Sequence, residues 1–178
     1  MTHGWWRRNR WGLIVLVPVL ALAIGLQLDD AYHLYWNGQP RQPVAAGPDG
    51  WADFAGGRIR LVELGPAADV EAPTRTQVWR ARLEFAVPAQ DTLGACDISV
   101  EDEAGRVFDA RPDELIGADV PFPSCTPELD TPARNATGPV TFSTVAHFVL
   151  PAGARPVAVR VTQLTALPRY ARLTLVRP

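Results

Sequence analysis

The amino-acid sequence predicts an all-β domain, a sandwich of two sheets with about seven strands, preceded by a single N-terminal transmembrane helix. Three observations carry that prediction. Residues Trp11 to Leu28 form an apolar run without one ionisable side chain, long enough to be a membrane-spanning candidate. Beyond it, apolar and polar residues alternate with period two in short segments punctuated by proline and glycine, the pattern of strands with one wet face. The two cysteines, Cys96 and Cys125, both follow the run.

At about 1.5 Å per residue the run reaches roughly 27 Å, just short of a typical hydrocarbon core. Arg7, Arg8 and Arg10 flank its N-terminal side, and the first basic residue beyond it is Arg41; that asymmetry keeps the N-terminus in the cytoplasm. The expected organisation is a cytoplasmic N-terminus (1–10), a transmembrane helix (11–28), an extracytoplasmic tether (29–57) and a β-domain (58–178). Trp5, Trp6 and Trp11 on one side and Tyr32, Tyr35 and Trp36 on the other stand where aromatic side chains settle at membrane interfaces. The Trp-Trp-Arg-Arg-Asn-Arg segment is also suited to anionic lipid. Pro18 and Gly25 are tolerable inside a membrane helix.

A cleaved signal peptide competes with this reading: Leu13 to Leu20 would be its core and Ala21-Leu22-Ala23 its small-x-small cleavage site, releasing a soluble secreted protein. Against it, the apolar run continues through Ile24, Leu26 and Leu28, and the second aromatic cluster would have no role in a soluble product. Arg7-Arg8 invites a twin-arginine reading, but Arg10 and Trp11 stand where such signals usually carry apolar residues.

About 150 residues follow the anchor, enough for one domain with a real core. All nineteen acidic residues lie there against fourteen of the seventeen arginines, a formal charge of −5. Nucleic acid is therefore not an expected partner, since phosphate binding needs a concentrated positive footprint. Cys96 and Cys125 are expected to pair, both being on the oxidising side. Closing a loop of roughly thirty residues would contribute about 3–4 kcal/mol on the chain-entropy model. There is no C-x-x-C and only His147 as a domain histidine, so neither zinc nor another cofactor is expected.

In chain order, Asn37 to Gly57 is rich in glycine and proline and reads as an irregular tether, interrupted by Trp51 and Phe54, which can fold back onto the domain. Arg58–Leu64 is the first strand, with Ile59 and Leu61 inward. The clearest strand is Gln77–Val87, with Trp79, Ala81, Leu83, Phe85 and Val87 on one face and Arg80, Arg82 and Glu84 on the other. Next, Cys96, Ile98 and Val100 alternate with Asp97, Ser99 and Glu101, sending Cys96 inward. Asp102-Glu103-Ala104-Gly105 is a turn, returned by Arg106-Val107-Phe108. A long loop from Arg111 to Thr137, pinned by Cys125 and with room for a helical turn near Asp113–Ile116, precedes the strand Thr141–Leu150. Strands over Val157–Val161 and Tyr170–Val176 close the domain. Seven strands in about 120 residues fit an immunoglobulin-type sandwich, with a small barrel as the alternative.

Trp79 to Phe85, Cys96-Asp97-Ile98-Ser99-Val100 with Gly105-Arg106-Val107-Phe108, and Phe148-Val149-Leu150-Pro151 leading into Val157–Val161 resemble the immunoglobulin-like extracytoplasmic domains of unknown function found in actinobacterial and other Gram-positive membrane-anchored proteins and lipoproteins. The resemblance spans roughly residues 58–177. It implies the same fold and no assigned activity. Lipoprotein members carry a lipid-modified cysteine after the apolar run, and no cysteine precedes Cys96 here; the resemblance then implies that the helix itself is the anchor.

Candidate chemistry is sparse. Ser143 and His147 share a strand face but stand about 13 Å apart at strand rise, too far to share a proton. Asp97, Glu101, Asp102 and Glu103 gather near one hairpin, where calcium or plain solvation would account for them. Nothing selects two of nineteen carboxylates for glycoside chemistry. Arg58, Arg60, Arg80, Arg82 and Arg160 would form a basic stripe if their strands are neighbours, a possible ligand surface for a carboxylate- or phosphate-bearing component. Asn135-Ala136-Thr137 matches a glycosylation acceptor. The expected function is a non-enzymatic, membrane-tethered module that binds a protein or cell-envelope component; the alternative is a cell-envelope glycan hydrolase.

Overall fold

The computed structural model describes residues 3–89, 92–110, 113, 115, 120, 122–127 and 137–175. It divides into two compact units, Met1–Gln39 and Pro40–Pro178.

The first unit is one helix, α1 (His3–Asn37). Every described side chain from Trp11 to Leu28 is exposed. A helix that is apolar all round has the composition of a membrane span, a core helix or a signal sequence alike. Asn9–Asn37 is long and apolar enough to cross a membrane, with a stretch of mean hydropathy 2.3. The helix runs on past the expected end at Leu28 because the next breakers are Gly38 and Pro40. Asp29 and His33, one turn apart, approach to 3.6 Å, and the rings of Tyr32 and Trp36 lie 5.4 Å apart. At the end, the Gly38 amide donates to the Leu34 carbonyl at 2.9 Å.

Nine strands stand among the described residues of the second unit: β1 (Gln42–Ala45), β2 (Trp51–Phe54), β3 (Gly57–Pro66), β4 (Thr76–Val87), β5 (Cys96–Asp102), β6 (Val107–Asp109), β7 (Val140–Pro151), β8 (Pro156–Gln163) and β9 (Arg169–Leu173). They form a five-stranded sheet, β1-β9-β8-β5-β6, and a four-stranded sheet, β2-β3-β4-β7. Only β1 on β9 is parallel. The chain changes sheet after β1, β4, β6 and β7, so the domain is a β-sandwich and not a closed barrel. Its central pairings, β4 with β7 in one sheet and β6-β5-β8-β9 in the other, follow the immunoglobulin-type order.

All seven expected strands are present, and two more lie in the segment read as tether. That segment is part of α1 up to Asn37 and part of the domain from Pro40 onward. Residues β1 needs from its neighbour are supplied by Pro168, whose carbonyl accepts from the amides of Arg41 and Gln42 at 2.8 and 3.0 Å. Residues Ala55 and Gly56, both at positive φ (51° and 82°), make the tight turn from β2 to β3. These two four-residue strands are too short to be read from their own alternation, whereas the shorter β6 is announced by the Asp102–Gly105 turn that joins it to β5. At the other end β9 stops at Leu173, not Val176; Leu175 is exposed and Val176 lies outside the described residues. Of the helical turn expected near Asp113–Ile116 only Asp113 and Leu115 are described, and most of the loop 111–137 and Asn135 and Ala136 of the acceptor also lie outside the described residues.

The core lies between the sheets. Ile59, Ala81, Leu83 and Phe85 from one side and Val100, Val159, Val161, Ala171 and Leu173 from the other are fully enclosed. Burying a side chain such as Leu83 stabilises by roughly 1.5–3 kcal/mol. Phe85 stacks on Phe142 at 5.0 Å. Cys96 and Cys125 form the expected disulfide, with Cα atoms 5.9 Å apart and Cys125 buried in the core. A second, smaller cluster of Ala67, Val78 and Leu115, with Val70, Val120 and Val149 against it, covers one end of the outer face of β4 and β7.

Candidate functional site

The outer face of the four-stranded sheet carries a group of partly exposed polar side chains. Alternation sends Arg80, Arg82 and Glu84 of β4 outward, and register sets them opposite His147, Val145 and Ser143 of β7. On the other flank Arg60 faces Glu84, and then the pairing shifts: Leu61 is opposite Leu83, but Glu63 is opposite Arg82. Val62 is the extra residue of this β-bulge. A bulge re-aims the side chains beyond it, and here it places Glu63 on the outer face while Leu64 packs against the core.

The result is a cleft of about 450 Å³, walled by Glu63, Asp69, Arg80, Arg82 and His147 with Val70, Val120 and Val145. Arg80 stands between Asp69 at 3.3 Å and Glu63 at 3.5 Å, and Arg82 reaches Glu63 at 3.6 Å. These contacts are longer than the 2.7–2.9 Å of a full charge-assisted hydrogen bond. His147 has its Nδ1 buried without a hydrogen-bond partner. Burial first, and then the Arg80 charge, holds its pKa below the ordinary imidazole value, with Asp69 opposing.

The expected basic stripe divides. Arg58, Arg60, Arg80 and Arg82 share this face, whereas Arg160 is on β8 in the other sheet, packed 4.1 Å over the Tyr170 ring and donating to the Pro40 carbonyl at 3.3 Å. The four that do cluster are matched by carboxylates rather than forming a cationic surface. Arg58 meets Asp49 at 2.5 Å and Asp53 at 3.4 Å. Arg60 donates to Glu84 from Nε at 2.7 Å and again from Nη2, and its guanidinium lies 4.7 Å over the Trp51 ring. The Asp49 carboxyl lies below its usual range because it accepts the Trp51 amide, with Arg58 adding to this against partial desolvation.

The acidic hairpin also disperses. Asp102 turns inward and is buried; it accepts the Ala104 and Arg106 amides, both at 2.9 Å, and Arg106 Nε at 2.8 Å. Burial works to raise its pKa, and the Arg106 side chain and the two amides outweigh it, leaving the carboxyl below the usual range. Gly105, at φ 76°, completes the turn. Glu101 points the other way, to Arg172 at 2.9 and 3.2 Å; that bond lowers its pKa against desolvation. No group of three His, Cys, Asp or Glu able to hold a metal occurs among the described residues. The loop carboxylates that glycoside chemistry would draw on lie outside them, Asp113 apart. Arg7, Arg8 and Arg10 all lie on α1; Arg10 sits 5.7 Å from the Trp11 ring, and the side chains of Arg7 and Arg8 are outside the description.

Sequence reasoning placed Arg80, Arg82 and His147 individually but missed Glu63 and Asp69 as their companions. A signal for the bulge was present: the inward series Ile59, Leu61, Leu64 breaks period two by one residue.

No family model matches the chain, and no curated protein matches it. Among solved structures, the secreted protein MPT63 of Mycobacterium tuberculosis is similar over 73% of this chain and 97% of its own, at 9% identity and a TM-score of 0.37. A likeness that slight carries no argument, and the β-sandwich assignment rests on the strand pairings themselves.

Proposed function

We propose that this protein is a single-pass, membrane-tethered module whose β-sandwich lies outside the cytoplasm and binds a protein or cell-envelope component without catalysing a reaction. The observation that carries the reading is the continuity of α1. The helix passes through the candidate cleavage triplet Ala21-Leu22-Ala23 and ends at Asn37, with the disulfide-bearing unit starting at Pro40. The arginine bias sets the orientation, and the resemblance to anchored extracytoplasmic domains agrees with it. The polar cleft is the surface offered to a partner.

Membrane fractionation and intact mass test the anchor: the full-length chain should remain in the membrane pellet after alkaline washing. Loss of the first 23 residues, with the domain in the medium, refutes it. Crosslinking in intact membranes tests binding; the reading fails if no specific partner is captured while the purified protein turns over a wall glycan.

A second reading, a soluble secreted protein cut after Ala23, is favoured by one observation: the sandwich forms a compact unit by itself from Pro40 onward.

A further inference from the structure

We infer that the cleft on the outer face of β3, β4 and β7 binds the C-terminal carboxylate of a short peptide with a small aliphatic side chain. The inference rests on the reading of the domain as a binding module and names the chemistry of its site.

Three features of the cleft select that ligand. Arg82 is its most available cation, half exposed and held by one contact at 3.6 Å, whereas Arg60 on the same face is committed to Glu84. A guanidinium in that position can turn both donors toward a carboxylate in the paired geometry arginine favours. The second feature is charge balance. Arg80 and Arg82 face Glu63 and Asp69, so the two arginines of the cleft are matched by two carboxylates. A dianion such as phosphate is repelled by both carboxylates in the walls; a monoanion joined to an amide meets them with half the charge, and its N–H groups can donate to Glu63 or Asp69. The third feature is apolar: Val70, Val120 and Val145 line the cleft between the charges. They suit a methyl or isopropyl group rather than a sugar ring. The volume, about 450 Å³, lies within the usual range for small-ligand sites.

The test uses the full chain in detergent micelles, titrated calorimetrically with N-acetyl-Ala-Ala, its C-terminal amide, and inorganic phosphate. The acid should bind with Kd on the order of 1 mM, as expected for so small a ligand, and the amide at least about tenfold more weakly. Arg82→Gln should weaken the acid about tenfold and Arg82→Lys should recover part of the loss, while Arg169→Gln, remote from the cleft, should leave it unchanged. An unchanged melting temperature establishes that the variants fold. The inference is overturned if the amide binds as well as the acid, if Arg82→Gln binds normally, if no binding occurs at 50-fold the expected Kd, or if phosphate displaces the peptide at equal concentration. Should the acid fail while membrane crosslinking still captures a partner in the Arg82→Gln background, the cleft assignment falls and the binding-module reading stands; should no partner be captured and the purified protein turn over a wall glycan, both fall.

Discussion

The two faces of β4 are made from alternate residues of one strand, yet they obey different physics. Inward, Ala81, Leu83 and Phe85 are wholly enclosed, and their contribution scales with apolar area removed from water. Outward, Arg80, Arg82 and Glu84 keep contact with solvent, where the same number of contacts is worth far less because water screens and competes. The inner face holds the domain together, while the outer arginines and Glu84 remain in reach of solvent. A third case, Asp102, shows a charged group brought inside: its two oxygens are saturated by amides and by Arg106, so it has nothing left to offer a ligand. Chemistry is available where satisfaction is incomplete, as in the cleft.

That contrast can be broken from the inside first. Phe85→Ala removes a fully enclosed ring stacked on Phe142 and should cost about 3–5 kcal/mol; chemical denaturation would measure it, and a loss below about 1 kcal/mol would mean the sheets do not pack as described. Reduction of Cys96–Cys125 comes next, removing up to about 3–4 kcal/mol by releasing the enclosed loop, with alkylation mass before and after reductant as the check. Glu84→Gln on the outer face should cost only about 0.5–1 kcal/mol despite its two bonds from Arg60. A larger loss would erase the distinction between the faces.

The smallest expected effect is on pH dependence. The folded pKa of His147 is depressed by burial and by Arg80, so below the ordinary imidazole value, about 6.5, the unfolded chain binds the proton better than the folded one. Its contribution is intact above pH 6.5 and is lost as pH falls toward the folded pKa. His147→Asn should flatten the fall in melting temperature between pH 7 and pH 5. The carboxylates work in the same direction at lower pH. Glu101 and Asp102 have depressed folded values, so their stabilisation is present above the unfolded carboxylate range and disappears in acid.

By itself the sequence determined the apolar helix, the seven strands from β3 to β9, the inward set of β4 and β7, the Asp102–Gly105 turn and the cysteine pair. Each rests on local periodicity or on compartment, which neighbours in the chain are enough to specify. Tertiary structure alone decided the rest. It turned part of the expected tether into β1 and β2, since a four-residue strand such as Gln42–Ala45 is defined by Arg169–Arg172 beside it rather than by its own alternation. It separated Arg160 from the other four arginines by assigning β8 to the opposite sheet. It supplied a carboxylate to each of the four, and through one bulge at Val62 it set Glu63 beside Arg80 and Arg82. Register and sheet assignment depend on contacts between residues distant in sequence, and a cleft built across three strands depends on them entirely.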